Sequence, residues 1–125
     1  DKDWRKGGWQ GYQSQDFEAV IDMKEIKSIS EISANFLQDT RSWILFPTKV
    51  EFYTSTDNIN FTLVETVTNT IPANDYSIQN STFKIQHKKT AQFIKVKATN
   101  YGKLPNWHQG KGGDAFIFID EIEVK

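Results

Sequence analysis

The sequence predicts an all-β fold, an antiparallel β-sandwich or jelly roll of about seven or eight strands. Three observations predict it. Apolar residues recur at every second position in one segment after another, and no segment sustains a helical period. Turn-forming clusters, TDN (56–58), NDY (74–76) and TNYGKLPN (99–106), separate these segments at short intervals. Most of the nine phenylalanines, Phe17, Phe52, Phe61, Phe83, Phe93, Phe116 and Phe118 among them, fall inside the alternating runs, where they can fill a core. The 125 residues fit one domain spanning 1–125.

Each element follows from its own residues. The opening DWRKGGWQGY (3–12) reads as a loop. DFEAVIDM (16–23) sets Phe17, Ala19, Ile21 and Met23 on one face of a strand, and SISEISANF (28–36) is a second, weaker strand. DTRSWILFP (39–47) connects a strand to a proline. KVEFYTS (49–55) puts Val50 and Phe52 opposite Glu51 and Tyr53, and FTLVETV (61–67) does the same with Phe61, Leu63 and Val67. TFKIQH (82–87) is weak, whereas FIKVKA (93–98) alternates Ile94, Val96 and Ala98 with Lys95 and Lys97. PNWHQG (105–110) reads as a loop with Gly and Pro at its turns.

AFIFIDEIEV (115–124) is the strongest strand. With Phe118, Ile122 and Val124 facing the core, alternation points Asp120 inward, where an unpaired carboxylate is costly. Either a bulge re-aims it or a cation neutralises it, and a hard oxygen ligand of this kind suits calcium.

Composition removes several classes of function. A formal net charge of -1 gives no electrostatic footprint for nucleic acid or an anionic membrane surface. No run of 18 apolar residues is present to span a bilayer as a helix. Zero cysteines exclude disulfides, thiolate zinc sites and thiol nucleophiles. Catalytic constellations fail as well. His87 lies in a lysine-rich, solvated run, and His108 has no Gly-x-Ser-x-Gly elbow to serve. Asp120 and Glu121 are strand neighbours that point to opposite faces, so they cannot oppose each other across a glycosidic bond. QGKGGD (109–114) fails the phosphate-loop pattern at Pro105 and Gly112.

The tryptophans, unlike the phenylalanines, avoid the strands. Trp4, Trp9 and Trp107 sit in loops and Trp43 lies between a strand and a proline, flanked by Gln, Asp, Arg and His. Flat aromatic surface with directional hydrogen-bonding groups around it suits a sugar, whose ring has an apolar face and a fringe of hydroxyls. Core-capping tryptophans are the competing reading of the same residues.

Three blocks carry a family resemblance: WQGYQSQDFEAVIDM (9–23), ISANFLQDTRSWILFPTKVEFYTSTDN (32–58) and AQFIKVKATNYGKLPNWHQGKGGDAFIFIDEIEV (91–124). They resemble the discoidin-like (coagulation factor 5/8 type C) domains of the family-32 carbohydrate-binding-module type found at the C-terminus of Bacteroidetes β-hexosaminidases and chitobiases. The resemblance implies a non-catalytic jelly roll that holds a sugar in the loops at one end. It implies terminal galactose, N-acetylgalactosamine or N-acetylglucosamine as ligand, an attached glycosidase, and an exported protein of the periplasm or cell surface.

The loops that match the family's site contain Trp9, Gln10 and Tyr12, then Gln38, Asp39, Arg41 and Trp43, then Trp107 and His108. Trp107 or Trp9 is expected as the stacking platform, with Asp39, Arg41, Gln38 and His108 hydrogen-bonding hydroxyl or N-acetyl groups. The resemblance also implies one structural calcium ion, held by Glu121, the carbonyl of Asp120 and an N-terminal loop to which Asp1 or Asp3 contributes. Members of the family have a further opening strand upstream, so the chain reads as a C-terminal fragment of a larger glycosidase. The alternative expectation is a structural accessory domain whose loop tryptophans pack on the catalytic domain without binding sugar.

Overall fold

The computed structural model describes residues 10–125; Asp1, Asp3, Trp4 and Trp9 lie outside the described residues. Six strands follow in chain order: β1 (Gln10–Gln13), β2 (Phe17–Gln38), β3 (Lys49–Ser55), β4 (Thr62–Thr68), β5 (Gln79–Thr99) and β6 (Phe116–Val124), with one 3₁₀ turn at Thr40–Ser42. They form a single hydrogen-bonded sheet in the order β1-β6-β2-β5-β3-β4, and every strand pairing is antiparallel. The fold is all-β and antiparallel, as the alternation predicts.

Fewer strands appear than the alternating runs suggested, because two pairs of runs are each one long strand. The runs at 16–23 and 28–36 are the two halves of β2, joined across register shifts at Asp22/Lys27 and Ile29/Glu31. Lys24 adopts a φ of 74° there, and its amide donates to Asp22 Oδ1 at 2.8 Å. Extra residues in one strand bend it and break the alternation. The runs at 82–87 and 93–98 are likewise two halves of β5, paired with the two halves of β2.

The bends fold the sheet over on itself and close one core. Val50, Phe52, Ile94, Val96 and Ala98 come from the part that includes β3, while Ile32, Phe36, Phe83, Ile85, Ile117 and Ile119 come from the part that includes β6. All are buried in a common cluster. Each of the larger side chains, Val, Ile and Phe, contributes roughly 1.5–3 kcal/mol by leaving water. Phe36 meets Phe83 edge-on at 5.4 Å, a favoured aromatic geometry.

One expectation is corrected here and one pair of alternatives is decided. The segment 10–13, read as loop, is the edge strand β1, whose Gln10–Gln13 pair with Ile119–Phe116. For Asp120 the bulge is the alternative that holds, and its side chain does not point inward. The inward residues of β6 are Ile117 and Ile119 rather than Phe118. Ala34 then pairs with Ile122 and Phe36 with Ile119, so Asp120 and Glu121 share the space opposite one residue of β2. That bulge leaves both carboxylates exposed and resumes inward packing at Ile122 and Val124.

Strand ends gather four connections, 14–16, 39–48, 69–78 and 100–115, at one tip of the sandwich. Asn100 ties two of them together: its backbone amide donates to Asp16 Oδ1 at 2.8 Å, and its side chain donates to the carbonyls of Gln15 and Ala115 at 3.1 and 3.0 Å. Beneath the tip a second apolar cluster of Leu45, Leu104 and Ala115, with Trp43, Ala73 and Tyr101 against it, holds the loops to the sandwich.

Candidate functional site

The floor of the tip is polar, buried and internally satisfied. His108 is only 2% exposed. Its Nε2 lies 2.6 Å from the carbonyl oxygen of Thr40, and its Nδ1 accepts from the Gly110 amide at 2.8 Å. A carbonyl can only accept and an amide can only donate, so the ring carries its proton on Nε2. Thr40 Oγ1 donates in turn to the carbonyl of Ala73 at 2.8 Å. Gln38 is 1% exposed; its side-chain amide donates to the Pro72 carbonyl at 3.0 Å and its Oε1 accepts from the Phe46 amide at 3.3 Å. These bonds lock the loops at 39–48, 69–78 and 100–115 to one another.

Above the floor lies a chain of rings. Trp43 takes a left-handed φ of 69° and is covered by the glycine-rich loop. A Cβ on Gly110 would sit 2.5 Å from Trp43 Cε2, and one on Gly113 would sit 2.8 Å from Trp43 Cζ3. Only glycine lets the backbone come this close, which is the physical reason for the QGKGG run. His108 lies edge-on to Trp43, with centroids 6.5 Å apart, and tilted against Trp107 at 5.8 Å. Trp107 is 46% exposed. Tyr76 stands nearly perpendicular to it at 6.1 Å, and the Arg41 guanidinium carbon lies 4.8 Å from the Tyr76 ring centroid. Gln109 donates to the Arg41 carbonyl at 3.2 Å, joining the two loops at the surface.

The structure brings together Arg41, Trp43, Trp107 and His108 of the residues expected at the site, and adds Tyr76. No motif marks Tyr76 in the sequence; the only available signal was an aromatic residue inside the turn cluster NDY. Gln38 and His108 were expected to hydrogen-bond a ligand directly. That expectation is corrected, because both are buried with their polar atoms committed to backbone groups, and they act as supports. Asp39 is 7% exposed and accepts from Ser42 Oγ at 3.0 Å. Gln10 and Tyr12 are not brought to the ring chain. They lie on β1, where Tyr12 donates to Gln10 Oε1 at 3.1 Å and its ring packs on Phe17 at 5.3 Å. Trp9 lies outside the described residues.

Asp120 and Glu121 sit apart from the tip, beside a hollow of about 240 Å³ lined also by Gln10, Phe17 and Ile21. A hydrogen bond with Glu123, then the charges of Glu123 and Asp120, raise the pKa of Glu121. Among the described residues no group of three or more His, Asp or Glu side chains is placed to hold a metal ion. Calcium takes six to eight oxygens, and the described residues do not assemble that shell around Asp120 and Glu121. A larger hollow of about 380 Å³ lies on the outer face of the sheet, lined by Ser33, Asn35, Asn80, Thr82 and charged neighbours, with no aromatic ring.

Comparison with known proteins gives consistent relatives. The family model of the F5/8 type C domain matches residues 1–113, while no curated protein matches the chain. Among solved structures, the C-terminal domain of a chitobiase from Bacteroides fragilis aligns with a TM-score of 0.52 at 22% identity, covering 89% of this chain and 63% of that one. The chain thus spans less than two thirds of that domain's length. A CBM32 domain from Clostridium perfringens, solved in complex with GalNAc-β-1,3-galactose, aligns with a TM-score of 0.53 at 16% identity over 95% of this chain and 79% of that one. Another from the same organism, CBM32-3 of a family 31 glycoside hydrolase, gives 0.50 at 19% identity over 90% and 72%. At such identities the likeness is one of fold.

Proposed function

The chain belongs to the F5/8 type C domain family, and from that premise we propose that it is a non-catalytic carbohydrate-binding module. It holds a terminal galactose, N-acetylgalactosamine or N-acetylglucosamine and keeps an attached β-hexosaminidase-type glycosidase near its glycan. One observation carries this reading: Trp107, almost half exposed, stands at a corner with Tyr76 and beside Arg41 on loops pinned from below by buried hydrogen bonds. The C–H face of a pyranose stacks on the indole, and the Arg41 N–H fork and the Tyr76 hydroxyl meet its oxygens. The rim around Trp107 is polar, unlike the flat apolar face that a permanent contact with a neighbouring domain requires.

A single shallow platform of this kind binds weakly, at about -4 to -7 kcal/mol or millimolar to high micromolar affinity. Linkage to an enzyme makes weak binding useful by raising the effective concentration of glycan. The relative solved with GalNAc-β-1,3-galactose supports the choice of ligand class. Calorimetric or fluorescence titration with the three sugars tests the proposal. Binding is expected for at least one of them and is lost in Trp107→Ala and weakened in Tyr76→Ala, with thermal stability retained. Silence toward all three sugars contradicts it, as does full binding by Trp107→Ala.

A further inference from the structure

The loops of the tip carry the carboxylates of Asp16, Asp39, Asp75 and Asp114 and the cations of Arg41, Lys103 and Lys111. These carboxylates are engaged within the fold: Asp16 accepts from the Asn100 amide, Asp39 from Ser42, Asp75 from the amide and hydroxyl of Ser77, and Asp114 pairs with Lys103 at 2.7 Å. The remaining cations are not. Arg41 is exposed and, among the described residues, forms no ion pair and no side-chain hydrogen bond; its contact is the Tyr76 ring. Lys111, exposed on the loop that Gln109 fastens to the Arg41 carbonyl, has no carboxylate partner among the described residues either. Two cations without a carboxylate partner among the described residues therefore stand on the loops around the exposed Trp107.

Arginine also differs from lysine in what it can receive. The sequence has two arginines against thirteen lysines, and the one within the described residues is at this site. A guanidinium resting on an aromatic ring has its orientation limited before any ligand arrives, and its N–H fork matches the paired oxygens of a carboxylate or sulfate. A neutral hydroxyl uses only part of that fork. The neutral sugars proposed above account for Trp107 but offer the guanidinium of Arg41 no anionic group.

We propose that the tip recognises an acidic sugar, with the pyranose ring on Trp107 and its anionic group on Arg41, and with Lys111 adding long-range attraction. The inference rests on the sugar-binding reading and narrows its ligand class to glycans bearing a uronic-acid carboxylate or a sulfate ester. Bonds to a charged acceptor are about twice as strong as neutral ones. The acidic sugar should therefore bind about tenfold tighter than its neutral counterpart at low salt, a difference of about 1.4 kcal/mol by affinity arithmetic, and most of the Lys111 share should be screened at high salt.

The experiment titrates the full chain, at low and high salt, with matched glycosides: methyl galactoside, methyl galacturonide and galactose 6-sulfate, and the corresponding gluco series. The expected result is tighter binding of an acidic member in at least one series. Arg41→Gln should abolish that preference and Lys111→Gln should reduce it and flatten its salt dependence. A better response to galacturonide identifies a carboxylate, and a better response to the sulfate identifies a sulfate ester. Equal binding of neutral and acidic sugars overturns this inference while leaving the sugar-binding reading intact, and so does a preference that survives Arg41→Gln. Absence of binding by every glycoside overturns both.

Discussion

His108 separates a supporting role from a ligand-binding one by stability alone, so His108→Ala is worth working through. The side chain is 2% exposed and makes two hydrogen bonds to backbone groups, the Thr40 carbonyl at 2.6 Å and the Gly110 amide at 2.8 Å. Truncation leaves both groups without their partner, at roughly 1–3 kcal/mol for a buried group that stays unsatisfied. It also opens a space between Trp43 and Trp107, whose centroids lie 6.5 and 5.8 Å from the imidazole, and a cavity adds to the loss. Water entering from the tip offsets part of this, giving a net cost of about 2–4 kcal/mol. For a domain of this size that lowers Tm by about 8–15 °C, taking roughly 4 °C per kcal/mol. Differential scanning calorimetry of His108→Ala beside Trp107→Ala is the assay. The exposed tryptophan should change Tm by no more than a few degrees while the buried histidine changes it strongly. A fall of under 2 °C for His108→Ala would refute the argument that this residue holds the loops together.

Gly110→Ala drives a methyl group to 2.5 Å from Trp43 and should cost about 1–3 kcal/mol, as overpacking does, with a shift in tryptophan emission as Trp43 moves; Gly102→Ala, where nothing lies within 4 Å but φ is +100°, should cost stability through backbone strain and leave the emission unchanged. At the opposite end of the sandwich, the Asn60 and Ile59 amides, then the side chains of Asn60 and Ser55, hold the Asp57 carboxyl well below the usual carboxylate range. A depressed pKa contributes stability above the unfolded value, about 3.9, that is lost as pH falls through the folded one. Asp57→Ala should therefore lower Tm at pH 7, and the gap to the parent chain should narrow in melts below about pH 4; a gap that is the same at pH 7 and pH 2.5 contradicts this.

Period-two alternation was enough to find almost every strand, because half-buried sheets must place apolar side chains on one face. It could not show that Phe17–Met23 and Ser28–Phe36 are one strand. A bulge such as that around Lys24 breaks the very period on which the reading depends. The same limit left Asp120 with two readings: the phase taken from Phe118, Ile122 and Val124 holds only if no residue is inserted, and the bulge at Asp120 and Glu121 inserts one. At the site, the loop aromatics pointed to Trp107 correctly as an exposed ring, since Gly and Pro around it preclude a strand. Burial of Gln38 and His108 depended on carbonyls and amides of Thr40, Phe46, Pro72 and Gly110, which become neighbours only through the fold. Tyr76 was missed for a related reason, because its partners Arg41 and Trp107 are more than 30 residues away on either side and nothing within its own turn marks it.

Ligand is expected to meet this chain at the ring chain of the tip. Chemical-shift mapping of the ¹⁵N-labelled chain during sugar titration tests it most directly, because the indole N–H of Trp107 and the amides around Arg41, Tyr76 and Gln109 are separate reporters. The account predicts saturable shifts concentrated at those positions, with Ser33, Asn35, Asn80 and Thr82 on the outer sheet face unmoved. Shifts centred on that outer face, with the Trp107 indole signal unchanged at saturation, would contradict it.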